Sequence, residues 1–314
     1  MRRRNHYDVT NRIEIARPVA VGEAVCELLT AQYPGIDLAP VETAFKVFTR
    51  LFAGTLRGYH GCDTWYHDAQ HSLDCTLAFM RLLQGHERSV AVDEQLGPRR
   101  AALGVISSLF HDAGYIRRNS DEAVNGAEFT FTHVGRSGEF LSDFLPLIGF
   151  DREAEMASQL VHFTGYELAL DAIQVPDAKD RVLGFLLGTS DVMAQTADRC
   201  YLEKCRDFLY TEFEICGLAG VAQEGAKAPV YTSPESLLRQ TPQFSEKMRV
   251  ERLDGYFQSV HRYMGAHFDG GRDLYAESIK THLDQVKRLI EADTFDELRR
   301  KPKAIRADEV RAAI

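Results

Sequence analysis

The chain is 314 residues long, 45% hydrophobic, and carries a formal charge of -9. That size and apolar content allow a substantial buried core and exclude general disorder. The acidic balance argues against a nucleic-acid polymer as partner, because binding a phosphate backbone takes a clustered basic surface.

Met1 to Arg4 is basic, but Asn5-His6-Tyr7-Asp8 follows rather than the apolar stretch of a secretory leader. No uninterrupted apolar run reaches the roughly 20 residues of a membrane span. Cys26, Cys62, Cys75, Cys200, Cys205 and Cys216 contain no C-x-x-C pair, so they read as reduced thiols without the spacing of a structural zinc site. A soluble, cytoplasmic protein is the expectation.

Residues 18 to 31 and 40 to 57 carry apolar positions at three- and four-residue spacing, the period of amphipathic helices, with the turn Tyr33-Pro34-Gly35 between them. Gly58 to Trp65 reads as a loop. A helix is predicted from about Tyr66 to Leu83, with Leu73, Leu77, Met80 and Leu83 as its buried stripe. His67 and His71, four apart, share a face of it. Gly85 to Arg99 is polar and ends in Gly97-Pro98, so it reads as a loop that leaves His86 solvated, like His60. Ala101 to Phe110 is apolar almost all round and is predicted to be a central helix delivering His111 and Asp112 to an interior point.

Thr132 is placed to cap a helix running to about Leu147, and Asp151 to Phe163 reads as a further helix with His162 near its end. Arg181 to Leu209 is a long helical stretch whose apolar face is interrupted by Asp191. Cys216 to Pro234 is a Gly/Ala-rich loop. Residues 235 to 265 and 273 to 292 then read as two helices, followed by a charged tail after Pro302. With no alternating strand segments and no repeats, the prediction is an all-α fold. Three stretches divide it: N-terminal helices at 1-58 packing on a core, a metal-binding catalytic core at 59-215, and C-terminal helices at 216-314 completing the pocket.

Chemistry concentrates on Leu109-Phe110-His111-Asp112-Ala113-Gly114-Tyr115. An ionised Asp at the end of an apolar helix is expensive to bury unless paired or metal-bound. His71, His133, His162 and Asp191 are further potential ligands at helical positions on either side. Imidazole and carboxylate donors without thiolate suit Fe, Mn, Co, Ni or Zn. A carboxylate can bridge two cations, which together activate water and clamp phosphate oxygens. Arg117, Arg118 and Arg136 read as a solvated charged face, His261, His267 and His282 as structural, and Gln195, Asp198 and Arg199 as hydrogen-bonding support behind the ligands.

The order His71, His111-Asp112, Asp191, each on its own predicted helix, resembles the HD superfamily of metal-dependent phosphohydrolases over roughly residues 60 to 210. Tyr66-His67-Asp68-Ala69-Gln70-His71 is also similar to the Tyr-His-Asn-x-x-His stretch of class I cyclic nucleotide phosphodiesterases. The resemblance implies a helical HD-type bundle with added C-terminal helices. It also implies His71 as a ligand and His67 as the acid that protonates the leaving oxygen, with Asp112 essential to catalysis. His133 and His162 extend the match to the six-ligand members, implying two divalent transition-metal ions, Fe or Mn first, with Zn, Co, Ni or a Mg second site as alternatives. These would be held by His71, His111, Asp112, His133, His162 and Asp191.

The expected activity is hydrolysis of a phosphodiester such as a 3',5'-cyclic nucleotide. Its substrate would be a small phosphoester or nucleotide, neither a nucleic-acid polymer nor a membrane being a partner, and a homodimer is admitted. The same ligand pattern also occurs in HD-type mixed-valent di-iron oxygenases, and a non-catalytic nucleotide-binding module is the third alternative. The pattern departs from class I phosphodiesterases at Tyr115, where a further histidine is expected. It departs from the HD-GYP cyclic dinucleotide hydrolases at Phe163 and in lacking their Gly-Tyr-Pro motif. Gln240 and Gln243 are the candidates for a base-gripping glutamine.

Overall fold

The computed structural model describes residues 3–221 and 228–313. Met1, Arg2 and part of the Cys216 to Pro234 loop therefore lie outside the described residues. Helices α1 (Pro18–Gln32) and α2 (Ala39–Phe52) each begin with a proline in the first turn, where its missing N–H costs nothing. Helix α3 (Ala69–Ser89) is the axis of the fold. It starts at Asp68, whose carboxylate accepts from the His71 N–H at 2.9 Å, and packs against α1, α4 (Gly97–Phe110), α7 (Ala178–Ala197) and α11 (Met264–His267).

The sequence marks one buried stripe on α3, yet the helix is buried nearly all round. Its polar residues find partners far away in the chain. Arg81 donates to Asp8 at 2.6 Å and to the Tyr275 hydroxyl at 3.0 Å, Gln70 donates to Asp198 at 3.0 Å, and Glu87 accepts from the Tyr33 hydroxyl at 2.6 Å. The helix also runs past Leu83 to Ser89, so His86 is buried rather than solvated, with its Nδ1 3.0 Å from Glu87. His60 is exposed, as expected.

Helix α5 (His133–Phe144) is not capped by Thr132. The Glu167 carboxylate takes that role, accepting from the N–H groups of Val134 (2.6 Å) and Gly135 (2.9 Å). Helix α6 (Ala154–Leu160) ends in the tight turn Val161–Phe163 that carries His162. The long stretch predicted from Arg181 to Leu209 breaks at Asp198. There α7 ends and α8 (Tyr201–Lys204) begins, passing through a widened turn at Cys205–Leu209 into α9 (Tyr210–Ile215).

Helix α10 (Pro234–Lys247) likewise widens over Met248–Tyr256 and is ended by the left-handed residues Gln258 and Ser259, short of the predicted residue 265. Helices α12 (Leu274–Ala292) and α13 (Ala307–Ala312) complete the chain.

The fold is all-α. Among the described residues only isolated bridges stand in for strands, and no helix is long and apolar enough to cross a membrane. One hydrophobic cluster runs from Ile15 to Val310 and draws on all three stretches of the chain. A second joins Tyr66, Tyr201, Leu237, Val286 and Leu298. The segment before α13 closes on the loop before α3: Ile305 donates to Asp68 at 2.6 Å, Ala69 donates to the Ile305 carbonyl at 3.2 Å, and Ala307 donates to the Cys62 carbonyl at 3.0 Å.

Candidate metal centre

The end of α4 hands His111 and Asp112 to the middle of the molecule, where α3 presents His71 and α7 presents Asp191. Asp112 is the hub. Its Oδ2 lies 3.1 Å from His71 Nε2 and 3.3 Å from His111 Nε2, while its Oδ1 lies 3.6 Å from His133 Nε2. Asp191 Oδ1 is 3.3 Å from His71 Nε2 and 3.7 Å from His111 Nε2. One carboxylate thus faces imidazoles on both sides, the arrangement a bridging ligand needs.

The tautomers of two rings follow from their outer partners. His111 Nδ1 donates to the Ser108 carbonyl at 2.8 Å, and His133 Nδ1 donates to the Thr130 carbonyl at 2.9 Å. A carbonyl can only accept, so whenever either ring is neutral its Nε2 carries the lone pair toward the cluster, although for His111 the charge of Asp112 outweighs burial and raises the pKa. Burial alone would raise the Asp112 carboxyl, but His111 and His71 outweigh it and hold it well below the carboxylate range. Burial, helped by His67, lowers the pKa of His133 and keeps it neutral. Both are in the protonation states that bind cations.

His67 sits on the loop before α3, with its Nδ1 2.6 Å from Glu212 Oε2. The other oxygen of Glu212 accepts from the backbone N–H groups of Trp65 (2.7 Å) and Tyr66 (2.6 Å), so one buried carboxylate on α9 fixes both the loop and the ring. Tyr115 occupies the place where the phosphodiesterase resemblance expects a histidine. Its ring stacks between His67 (4.4 Å) and His133 (4.3 Å). These three rings form one wall beside the ligand cluster.

His71, His111, Asp112, His133, Asp191 and His67 are therefore brought together, and His162 is not. Val161 and Phe163 on either side of it take the buried directions, and His162 lines a separate polar depression with Arg118, Glu139, Ser142, Asp143 and Ser158. Arg117, Arg118 and Arg136 pair with Asp63, Glu139 and Asp121 and do not line the central cavity. Gln195 supports the cluster as expected, donating to Asp191 at 3.3 Å and accepting from the Tyr66 hydroxyl at 3.2 Å. Gln240 lines the cavity, whereas Gln243 does not.

Two residues were missed by reading the sequence. Glu212 stands 145 residues from His67, with no local signal to join them. Cys75 lies one helical turn beyond His71, and that spacing was the available clue. Its Sγ is 3.6 Å from Asp191 Oδ1 and 3.7 Å from His71 Nδ1. A thiol therefore packs beside a cluster that the sequence had suggested to be free of sulfur.

Above the cluster opens a cavity of about 360 Å³. Its floor is His71, Asp112 and Asp191, and its walls are largely aromatic and aliphatic, including Phe131, Tyr166, Phe213, Tyr231, Leu237 and Phe244. On another side of His71 lies a much smaller cavity, of about 10 Å³, lined by His71 with Tyr66, Asp74, Gln195, Asp198 and Lys204.

The residues fit a cation. His111 Nε2 and Asp112 Oδ2 are buried without a hydrogen-bond partner, although residues 1% and 3% exposed should not leave polar atoms unsatisfied. Donor atoms bound at about 2.1 Å to one ion stand roughly 3.0 to 3.4 Å apart, which is the spacing of most of this set. Compared with known proteins, the chain matches no family model, no curated protein sequence and no solved structure.

Proposed function

We propose that the chain is a metal-dependent phosphohydrolase of the HD type that cleaves a phosphodiester, with a 3',5'-cyclic nucleotide as the leading substrate. One observation carries the reading: a carboxylate-held histidine, His67, lines the same cavity as the Asp112-centred ligand cluster. A proton donor beside a cation centre is what cleavage of a phosphodiester requires. Divalent transition-metal ions bound there would polarise a phosphoryl oxygen and bring the pKa of water toward neutrality.

The chain's own residues supply the rest. Glu212 keeps the Nδ1 proton of His67 in place, so Nε2 is the atom that exchanges a proton with the cavity. Water attacks phosphorus opposite the bond that breaks and gives up its proton to solvent, and His67 Nε2 protonates the departing oxygen. Tyr115 holds the His67 ring in plane against His133. The aromatic walls offer a nucleobase a stacking surface and exclude water from the floor.

The oxygenase alternative draws on six ligands including His162, and five of those six meet at the cluster. The four-residue set of His71, His111, Asp112 and Asp191 is complete, which favours hydrolysis.

In the test, Asp112→Ala should lose bound metal and turnover together, measured by elemental analysis and a screen of cyclic nucleotides and generic phosphodiesters with and without oxygen. His67→Ala should keep metal and lose turnover by about 10²- to 10⁴-fold. An Asp112→Ala protein with stoichiometric metal overturns the centre. Metal loss in His67→Ala would make that residue a ligand, turnover only in the presence of oxygen would favour the oxygenase, and tight binding without product would favour the non-catalytic module.

A further inference from the structure

We propose that Arg252 is a positioning residue for substrate binding: from behind the cavity wall it holds the Tyr166 ring as the surface on which a planar ester group of the substrate lies. The proposal rests on the phosphodiester reading above and narrows its substrates to those with an aromatic ester group.

Arg252 lies in the widened stretch Met248–Tyr256 after α10 and is only 7% exposed. A guanidinium stays charged, and burying one without a carboxylate is expensive. Its partners among the described residues are nonetheless two carbonyls and a ring. Nη1 donates to the Phe163 carbonyl at 3.2 Å, Nη2 donates to the Gly165 carbonyl at 2.5 Å, and the guanidinium carbon stands 4.0 Å from the centre of the Tyr166 ring. All three belong to the strip that follows His162. Thr164, Gly165, Tyr166 and Glu167 of that strip line the cavity, whereas Arg252 does not.

The strip is also held from α5. A Cβ on Gly165 would come within 2.4 Å of Val134 Cγ2, and Glu167 caps the same helix through the N–H groups of Val134 and Gly135. Tyr166 is the part of the strip that packing leaves open, at 65% exposure. Two residues four apart on the widened stretch restrain it: Met248 Sδ accepts from its hydroxyl, and Arg252 covers one face of its ring. A ligand therefore meets the opposite face.

Preorganisation is what this arrangement supplies. A side chain that must be ordered on binding weakens affinity, and one already fixed does not. Arginine suits the task because its planar fork reaches two acceptors while its flat face stacks on a ring; a lysine ammonium is a single point charge and cannot do both. An aromatic ester group gains a stacking partner there, which a methyl ester cannot use.

The experiment takes bis(p-nitrophenyl) phosphate as the aromatic probe and dimethyl phosphate, a competitive inhibitor without a ring, as its control. The metal-loaded full-length chain is compared with Arg252→Lys, Arg252→Met and Tyr166→Leu, with circular dichroism and elemental analysis selecting variants of parental fold and metal content. KM for the aromatic probe should rise about three- to tenfold in each variant, the worth of one aromatic contact, with the larger part of the effect in KM rather than kcat. Inhibition by dimethyl phosphate should stay at the parental level. Arg252→Met combined with Tyr166→Leu should be no worse than either alone, since both break one contact.

A parental KM in Arg252→Lys shows that charge suffices and overturns the proposal. Equal weakening of the aromatic probe and dimethyl phosphate assigns Arg252 a general structural role and also overturns it. Tyr166→Leu with a parental KM overturns it even where the Arg252 variants do not fold. A parent that binds the aromatic probe without turnover overturns the hydrolase reading alone; dissociation constants then replace KM, and the same comparison decides the role of Arg252. A parent that neither binds nor cleaves the probe overturns both.

Discussion

Asp74 stands three residues along α3 from His71, 6% exposed, with its Oδ1 lacking a hydrogen-bond partner. Burial, reinforced by the charge of Asp198, pushes its pKa up to about 7. An unfolded Asp titrates near 3.9. Between roughly pH 4 and pH 7 the folded chain therefore holds a proton that the unfolded chain has released. The sign follows: this group's contribution is fully present below the unfolded pKa and is lost as pH rises toward 7, by up to about 1.4 kcal/mol per pH unit.

Asp74→Asn cannot titrate, so metal-free Asp74→Asn should lose less stability than the parent between pH 5 and pH 8. Urea midpoints at both pH values measure the difference, and parallel losses would refute the assignment. At this scale the sequence was informative where a residue's neighbours along the chain supplied the reason. His71 and Asp112 stood out by spacing and by the expense of a buried charge. Glu212 and the partnerless oxygen of Asp74 did not, because their significance comes from residues distant in the chain.

At the scale of elements, α3 shows how tightly the helices meet. Gly85 lies against the turn Val260–Tyr263, and a Cβ there would come within 1.9 Å of the Tyr263 carbonyl oxygen. Replacing a mid-helix glycine by alanine gains about 1 kcal/mol of helix propensity, but overpacking against backbone costs about 1–3 kcal/mol or more. The clash wins. Gly85→Ala should be destabilised by roughly 1–2 kcal/mol in denaturant titration, and a variant as stable as the parent or more so would show that the two elements can part.

Helical periodicity was readable for α1, α2, α3, α4, α7 and α12, since each has a continuous apolar face. Helix ends were less readable. The start of α5 is capped by Glu167 from beyond α6, and the stretch after α10 widens instead of continuing. The all-round burial of α3 was hidden for the same reason, because Asp8, Asp198 and Tyr275 make its polar face acceptable to the interior.

For the whole molecule, the decisive feature is the return of the segment before α13 to the loop that carries His67. Asp68 divides its two oxygens between the His71 N–H and the Ile305 N–H, so one carboxylate ties the start of α3 to the other end of the chain. The sequence showed this segment only as a charged tail, since hydrogen bonds from backbone N–H groups leave no mark in residue type. Removing residues 303 onward should expose the loop at 58–68 to proteolysis, while His111 and Asp112 at the end of α4 and Asp191 on α7 stay in place. Limited proteolysis read by mass spectrometry tests this, and an unchanged cleavage pattern would show that the loop holds itself.

That tie also has a consequence in time. The Asp68 carboxylate must wait for a partner 237 residues later in the chain. At synthesis rates of about 5–20 residues per second, the delay is roughly 12 to 50 seconds. Through that interval the nascent chain can gather α1 to α4 while the loop bearing His67 lacks its final clamp, so during synthesis that loop is secured only after His71, His111, Asp112 and Asp191 have been made.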